Sequence, residues 1–395
     1  MSVAYFVSPD GDDDAMGRSP EPTADGDGPF RTLDAAREAV REAISDGMDG
    51  DAVVYLRGGT YYREEPLRFG PEDSGRDGYD VVYTNYADET PRVVGGTPVT
   101  GWERHEGETY RADVDHDFDL LYADGDRCTL ARTPDDGYSR VRAPSAEEPH
   151  RTFEAAEGDL PDVAADELQV YVWPGGPEGE WNWFSDIVDV ESIDREAGTV
   201  TLAGETRYEL GPGSRYFFQG AEGLLSAPGE FYLDREAGTV YYWPRGDLES
   251  VEVVAPAVTR LLEFRGRSTA ERVHDVRIEG LTLEVTDRTR TVGSIDGEST
   301  PRHGAVHLQN ARDVTIERNR IQSTGLNGVL GLGAVENVTV ENNHVHDVGR
   351  GGVEFRGDVS TRYGNRHHRV RNNHVHDVGT VIGHGHGVTL HHSGN

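Results

Sequence analysis

A short unit repeats several times in the last third of the chain, and it constrains the fold more than any other feature. Its clearest copies are two identical segments, Asn-Asn-His-Val-His-Asp-Val-Gly, at 342–349 and 372–379. Weaker copies have the same order of an alternating apolar strand, a polar corner and a second strand, and they begin at Val276, Val314 and Val338. Coils of about 20–30 residues, rising ~3.3 Å per residue, fit a parallel β-solenoid. The repeats therefore predict an all-β solenoid.

Asparagines occupy equivalent corners of these units. Asn319, Asn343 and Asn373 are separated by 24 and 30 residues. Because asparagine tolerates the left-handed conformation and amides can stack between coils, we predict a structural ladder here rather than a catalytic group. Asp347 and Asp377 also repeat identically, which favours structural corners, but Asp377 stays a catalytic candidate because it lies nearer the histidine-rich end.

Two other regions precede the repeats. The spacing of apolar residues predicts an amphipathic helix over 33–45, with Thr32 as its N-cap. The sequence Asp-Arg-Glu-Ala-Gly-Thr-Val occurs at 194–200 and 234–240 between alternating apolar residues, a pattern typical of β-hairpins. We therefore divide the chain into an N-terminal cap with the first coils (1–99), a β-rich insertion domain (100–255) and parallel repeats that lack a C-terminal cap (256–395).

The charge of the chain excludes several partners. The net charge is −34, and all 38 basic residues are arginines, which indicates a surface adapted to high salt. This charge argues against nucleic acid and anionic membranes. The single cysteine, Cys128, excludes an internal disulfide and a cysteine-based zinc site. No signal peptide is evident, so the chain as written is expected in the cytoplasm, or outside the cell if a leader is missing.

Several motifs are similar to known carbohydrate-active proteins. Those at the N-terminal end are Tyr5-Phe-Val-Ser-Pro-Asp-Gly, Gly28-Pro-Phe-Arg-Thr-Leu and Leu56-Arg-Gly-Gly-Thr-Tyr-Tyr. They resemble the start of right-handed parallel β-helix proteins of the pectin-lyase-like class, in which the helix caps the solenoid. Those of the middle region are Gly95-Gly-Thr-Pro-Val-Thr-Gly-Trp, Leu225-Ser-Ala-Pro-Gly-Glu-Phe-Tyr-Leu-Asp-Arg and Tyr241-Tyr-Trp-Pro. They resemble the insertion domain of proteins related to glycoside hydrolase family 141.

This resemblance implies hydrolysis of glycosidic bonds in a polysaccharide or oligosaccharide, which normally requires two carboxyl groups. Relatives of this type usually continue for more coils, whereas this chain ends at Asn395 just after a strand. The resemblance therefore implies either a truncated or split gene, or a partner chain that covers the open end.

Strand alternation selects the candidate catalytic residues. In Gly352-Val-Glu-Phe-Arg-Gly-Asp, placing Val353 and Phe355 inside the coil directs Glu354 and Arg356 outward. We predict Glu354 and Asp358 as the first catalytic pair, with Asp377 as a further candidate. An outward row of this kind would line a groove for an extended sugar chain, with Arg356 among the substrate contacts.

Histidines and tryptophans supply further candidates for substrate binding. Ten of the 16 histidines lie after residue 340, and stacked histidines on the solenoid are the expected arrangement. The histidines predicted to contact substrate are His307, His384, His386 and His391. His384 and His386 could also ligate a metal from one strand face, but we predict no metal site. Trp181 and Trp183 either stack on a sugar or, as we favour, pack in the insertion domain.

Two alternatives stay open beside hydrolysis. A polysaccharide lyase or epimerase would, by resemblance to pectate-lyase folds, use calcium and an arginine base, with Arg356 and Arg366 as candidates. Hydrolysis itself requires no cofactor. The second alternative is non-catalytic, either a carbohydrate-binding scaffold or an inactive fragment.

Overall fold

The fold is an all-β parallel β-helix, as the repeats predict. The computed structural model describes residues 3–175, 183–296, 298–299, 302–357 and 364–391. Within these ranges no helix is long and apolar enough to cross a membrane. Asp358 and Trp181 lie outside the described residues, so their predicted roles receive no structural account.

Two parallel sheets form the walls of the solenoid. The larger sheet contains Val3–Val7, Ala52–Leu56, Leu67–Phe69, Val81–Asn85, Leu262–Arg265, Val273–Glu279, Gly304–Glu317, Asn327–Glu336, Thr339–Glu341, Val353–Arg356, Arg369–Arg371 and Val388–His391. The smaller sheet contains Gly59–Tyr62, Pro91–Val94, Thr282–Glu284, Arg320–Thr324, His344–Val348 and His374–Val375. Inward-facing side chains of both sheets form one continuous apolar core, from Val7 at the N-terminal coils to Phe355.

The α-helix Leu33–Asp46 packs on this core. Its buried face is Leu33, Ala36, Val40 and Ile44, and the Thr32 hydroxyl accepts a hydrogen bond from the Ala35 amide at 3.1 Å. The predicted helix and its N-cap are therefore confirmed. Short 3₁₀ helices in the described residues span Pro71–Asp73, Ala165–Glu167, Glu222–Leu224 and Leu248–Ser250.

Residues 96–256 form mainly antiparallel sheets with their own apolar clusters, and we call them the antiparallel region. The first sheet contains Gly96–Pro98, Tyr122–Ala123, Asp126–Arg127 and Val253–Pro256. The second contains Glu103–Arg104, Tyr110–Asp113, Thr129–Leu130, Glu230–Asp234 and Thr239–Tyr242. The third contains Arg132–Thr133, Ser139–Arg140, Ala143–Pro144, Thr152–Glu154, Gln169–Trp173, Asp186–Asp194, Thr199–Leu202 and Arg215–Gln219. A separate two-stranded ribbon, Ser294–Ile295 with Glu298–Ser299, follows in the solenoid part.

The two repeated hairpins have the predicted form. Asp194 and Asp234 each accept hydrogen bonds from the two amides that follow two and three residues later. Gly198 and Gly238 then adopt positive φ values of 71° and 64°, which close the turns. The identical sequence therefore forms the same turn in two different sheets.

The asparagine ladder is confirmed, with one correction. The Asn343 Oδ1 atom accepts from the Asn319 backbone amide at 2.9 Å, and the Asn373 Oδ1 atom accepts from the Asn343 amide at 3.0 Å. The left-handed residue is the one before each stacked asparagine, with φ near 55° at Arg318 and 58° at Asn342. These ladder positions therefore require asparagine for its side-chain hydrogen bonds rather than for a positive φ.

The antiparallel region contacts the solenoid along one side. Arg127 Nη1 lies 2.9 Å from Asp347 Oδ1, and the Tyr122 hydroxyl donates to the Thr286 carbonyl at 2.9 Å. The Ile187 amide donates to the Val292 carbonyl at 2.8 Å. These contacts place the strand that begins at Asp186 beside the last coils, where the predicted site residues lie.

Candidate functional site

Glu354 lies on the outer face of the solenoid. Its strand neighbours Val353 and Phe355 are fully buried in the solenoid core. In the parallel sheet, Glu354 pairs with Leu330 on the preceding strand and with Thr389 on the next. Glu354 is nevertheless only 4% exposed, because other side chains cover it from outside the coil.

These covering side chains line a crevice between the solenoid and the antiparallel region. It consists of two adjoining cavities of about 250 and 30 Å³, both of which are lined by Arg302 and Arg350. We call it the arginine crevice. Its main side chains are Phe184, Asp186, Arg207, Arg302, Arg350, Glu354, Arg356, His384, His386, Thr389 and His391.

Arginines hold Glu354 in its ionised form. Arg302 Nη1 lies 3.2 Å from both carboxylate oxygens, and Arg356 Nε lies 2.8 Å from Oε1. Burial alone would raise the pKa of Glu354, but the charge of Arg302 and the hydrogen bond from Arg356 lower it below its ordinary value. His391 Nδ1 lies 2.9 Å from Arg356 Nη1, which extends this network.

Arg350 adds a positive charge that is not neutralised locally. Among the described residues no carboxylate oxygen lies within ion-pair distance of its guanidinium. Burial, followed by the nearby charge of Arg302, lowers the pKa of Arg350 to about 10. Because Glu354 cannot balance three arginines, this part of the crevice favours an anionic group. Such a site is notable in a chain with a net charge of −34.

Asp186 is a site residue that the sequence did not reveal. Its carboxylate is 2% exposed and accepts hydrogen bonds from the Ser294 amide at 3.0 Å and the Arg207 amide at 3.4 Å. Burial raises its pKa to about 6. The backbone of Gly293, with φ 135°, approaches so closely that a Cβ atom there would lie 1.9 Å from Asp186 Oδ1. With 72 acidic residues in the chain, no sequence signal singled out this aspartate.

The crevice also contains the two predicted histidines, although they do not share a strand face. His384 and His386 precede the strand Val388–His391, and His384 has a φ of 61°. Their rings are perpendicular at 4.8 Å, and the His384 ring lies 4.5 Å from that of Phe184. Burial lowers the pKa of His384, which favours its neutral form. The strand-face prediction was wrong because the chain turns at this point.

A tryptophan beside the crevice is exposed, contrary to our expectation of burial. Trp183 is 48% exposed and precedes Phe184, whose ring centroid is 6.0 Å away. An exposed indole of this kind can stack on the apolar face of a sugar ring.

Two predicted site residues are not brought into the crevice. His307 faces outward between the buried Val306 and Leu308, but it is only 1% exposed and lines none of the described cavities, so the predicted substrate contact is not supported. Asp377 lies just after the strand His374–Val375 of the smaller sheet, and its Oδ2 atom is 2.7 Å from His376 Nδ1. Its carboxylate does not line the arginine crevice. Alternation predicts which face a residue takes, but not what covers that face.

A larger cavity of about 570 Å³ lies elsewhere between the antiparallel region and the solenoid. In this cavity Arg127 Nη1 lies 2.9 Å from Asp347 Oδ1, and Arg288 Nη2 lies 3.8 Å from Asp119 Oδ1. We place the candidate active site in the arginine crevice because the predicted residues Glu354, Arg356, His384, His386 and His391 meet there. In the described part of the chain, histidines within metal-binding distance of one another lie on the smaller sheet, away from this crevice.

Comparisons with known proteins support the fold. A family model for the right handed beta helix region matches residues 291–394. A solved structure named "Glycoside hydrolase" is similar with a TM-score of 0.81 and 20% identity, covering 96% of this chain and 74% of that chain. The complex of XylC with xylose covers 98% of this chain and 56% of that chain, at 14% identity and a TM-score of 0.49. No curated protein matches. At these identities the comparisons show the fold, a parallel β-helix.

Proposed function

We propose that this chain cleaves glycosidic bonds in an acidic saccharide, and that the arginine crevice is its active site. The observation that carries this proposal is the cluster of Arg302, Arg350 and Arg356 around one ionised carboxylate, Glu354, in a crevice. The likeness to a structure named as a glycoside hydrolase supports the same class of reaction.

The two carboxylates in the crevice suit different roles. Glu354, whose pKa is lowered, serves as the ionised nucleophile or base. Asp186, whose pKa is raised to about 6, serves as the proton donor. Asp358 is the second candidate for the donor, on the sequence argument alone. Asp377 is not part of this proposal, because its carboxylate does not line the crevice.

Substrate binding follows from the remaining side chains. Arg350 and the exposed Arg207 would bind the acidic group of the sugar, since neither is paired with Glu354. His384, His386 and His391 would donate to or accept from sugar hydroxyls. Trp183 would stack on a ring at the edge of the crevice.

The domain organisation belongs to the same proposal. The helix Leu33–Asp46 would cap the first coils, and residues 100–255 would be an insertion domain of the family 141 type whose edge completes the crevice. The acidic composition, in which every basic residue is an arginine, would suit a cell interior or a medium rich in salt.

A polysaccharide lyase is the second candidate, and Arg350 favours it. Elimination requires a positive charge that neutralises the uronate carboxylate, and it also requires a base. Arg350, whose pKa is lowered, and the neutral His384 could supply them. Of the sequence candidates for the base, Arg356 binds Glu354, while Arg366 binds Glu336 with Nε 3.0 Å from Oε1. Arg350 is therefore the better candidate than either.

The test is a panel of neutral, uronate-containing and sulfated oligosaccharides in about 2 M KCl, which screens the acidic surface. We expect reducing sugar from an acidic substrate, and a loss of at least ~10³-fold in kcat for Glu354→Gln. Glu341→Gln is the matched control, because Glu341 also lies on a solenoid strand and pairs with an arginine, Arg371, but lines no part of the crevice.

The products separate the candidate functions. Ultraviolet-absorbing unsaturated sugar would establish the lyase. Saturable binding without turnover would indicate a binding module. Full activity in Glu354→Gln, measured on protein with the wild-type circular dichroism spectrum, would remove Glu354 from the mechanism. Activity confined to neutral sugars would refute the acidic-substrate proposal.

A further inference from the structure

We propose that His344, His374 and His376 bind a divalent transition-metal ion on the outer face of the smaller sheet. The three side chains each offer a ring nitrogen, and these nitrogens all lie within 4.8 Å of one another. The site is separate from the arginine crevice, and the inference does not depend on the proposed function.

The repeated sequence builds this site. His344 pairs directly with His374 in the parallel sheet, because the two identical segments stack in register. Because residues i and i+2 of a strand share a face, His346 lies beside His344, and His376 lies beside His374. The result is a two-by-two grid of imidazoles. Its stacked pairs are His344 with His374 (4.9 Å, 5° between planes) and His346 with His376 (5.1 Å, 3°).

The diagonal of the grid gives the closest approach. His344 Nε2 and His376 Nε2 are 2.7 Å apart, so one ring donates a hydrogen bond to the other. A Zn²⁺ ion held by imidazoles at about 2.0–2.1 Å in tetrahedral geometry needs ligand nitrogens about 3.3 Å apart. Small rotations of the half-exposed His376 and the exposed His374 open the grid to that spacing. The ion would replace the bridging proton.

Two neighbouring groups fit a metal site. Asp377 Oδ2 lies 2.7 Å from His376 Nδ1, the carboxylate–histidine arrangement that directs the other ring nitrogen toward a metal. The His346 Nε2 atom is buried and has no hydrogen-bond partner among the described residues. It is therefore available as the partner of a metal-bound water.

The chemistry of the ligands selects the ion. A site with imidazole nitrogens and no carboxylate among its direct ligands suits Zn²⁺, Cu²⁺ or Ni²⁺, whereas Mg²⁺ and Ca²⁺ prefer oxygen ligands. A bound ion would connect the strand His344–Val348 to the strand His374–Val375 and so fasten two successive coils.

Isothermal titration of the chelator-treated, untagged chain with ZnCl₂ in about 2 M KCl tests the proposal. We expect one Zn²⁺ per chain, a loss of at least ~100-fold in affinity for His344→Ala or His376→Ala, and a ~10–100-fold loss for Asp377→Asn. His105→Ala is the control, since His105 is a surface histidine of the antiparallel region. Co²⁺ gives a second readout, because tetrahedral coordination produces visible absorption bands that the His376→Ala variant would lose.

The proposal is overturned by either of two results from folded protein. One is the absence of stoichiometric Zn²⁺ binding in the wild type. The other is binding that His344→Ala and His376→Ala leave unchanged, which would assign the ion to the acidic surface. Retained one-to-one binding in His105→Ala supports it.

Discussion

The central ladder residue, Asn343, should contribute more to stability than any surface asparagine of the repeats. Its side chain makes four hydrogen bonds. Oδ1 accepts from the Asn319 amide at 2.9 Å and from Asn319 Nδ2 at 3.2 Å. Nδ2 donates to the Ile316 carbonyl at 2.9 Å and to Asn373 Oδ1 at 3.0 Å.

The cost of Asn343→Ala follows from these contacts. A typical hydrogen bond contributes about 1 kcal/mol net, and leaving a buried polar group unpaired costs about 1–3 kcal/mol. Asn319 is 2% exposed, so its amide loses a partner where water cannot replace it. The Ile316 carbonyl loses one as well. We expect the free energy of unfolding to fall by about 3–5 kcal/mol.

Urea unfolding in about 2 M KCl, followed by circular dichroism, measures this change. Asn342→Gly is the matched control: Asn342 is adjacent, exposed and at φ 58°, a conformation that glycine adopts freely. We expect the control to change stability by less than about 1 kcal/mol. A loss below about 1 kcal/mol for Asn343→Ala, or an equal loss for both variants, would refute the ladder as a source of stability.

Two further predictions concern the crevice. Because burial raises the pKa of Asp186 from 3.8 to about 6, its ionisation opposes folding. The stability of the wild type relative to Asp186→Asn should therefore fall by up to ~3 kcal/mol as the pH rises from 4 to 7, since other buried carboxyls such as Asp287 titrate in both proteins; parallel urea midpoints against pH would contradict this. Trp183→Ala should raise the KM for the oligosaccharide about 5–30-fold with kcat nearly unchanged, since stacking contributes about 1–2 kcal/mol; an unchanged KM would exclude stacking of the sugar on Trp183.

Local sequence patterns predicted the repeating parts of the molecule. The hairpin turns at Asp194 and Asp234, the asparagine ladder and the outward direction of Glu354 all depend on neighbours within one turn or on the equivalent position of the adjacent coil. Spacing along the chain determines these contacts, so periodicity was enough to find them.

The crevice depends on contacts between distant parts of the chain, so the sequence predicted its solenoid side, with Glu354 and Arg356, but not the side chains that cover it. Arg302 reaches Glu354 across 52 residues, and Asp186 accepts from Ser294 across 108 residues. Both contacts result from docking of the antiparallel region and a loop onto the last coils, which no repeat pattern encodes. The same docking explains why Glu354 is buried, and why His384 and His386 meet in a cavity rather than on a strand.

The burial of Glu354 affects how its variants are interpreted. Removing one partner of a buried ion pair commonly costs about 3–5 kcal/mol, because the remaining charge is left uncompensated. Glu354→Gln would leave Arg302 and Arg356 without their shared carboxylate. Its activity is therefore meaningful only at temperatures where its circular dichroism spectrum matches that of the wild type.

The most direct test of the central claim is a crystal structure of the Glu354→Gln variant with an acidic oligosaccharide that binds it. We predict density for the sugar in the arginine crevice, with its acidic group within hydrogen-bond distance of Arg350 and a glycosidic oxygen beside residue 354. Sugar bound instead in the cavity lined by Arg127 and Asp347, or along another face of the solenoid, would contradict the account.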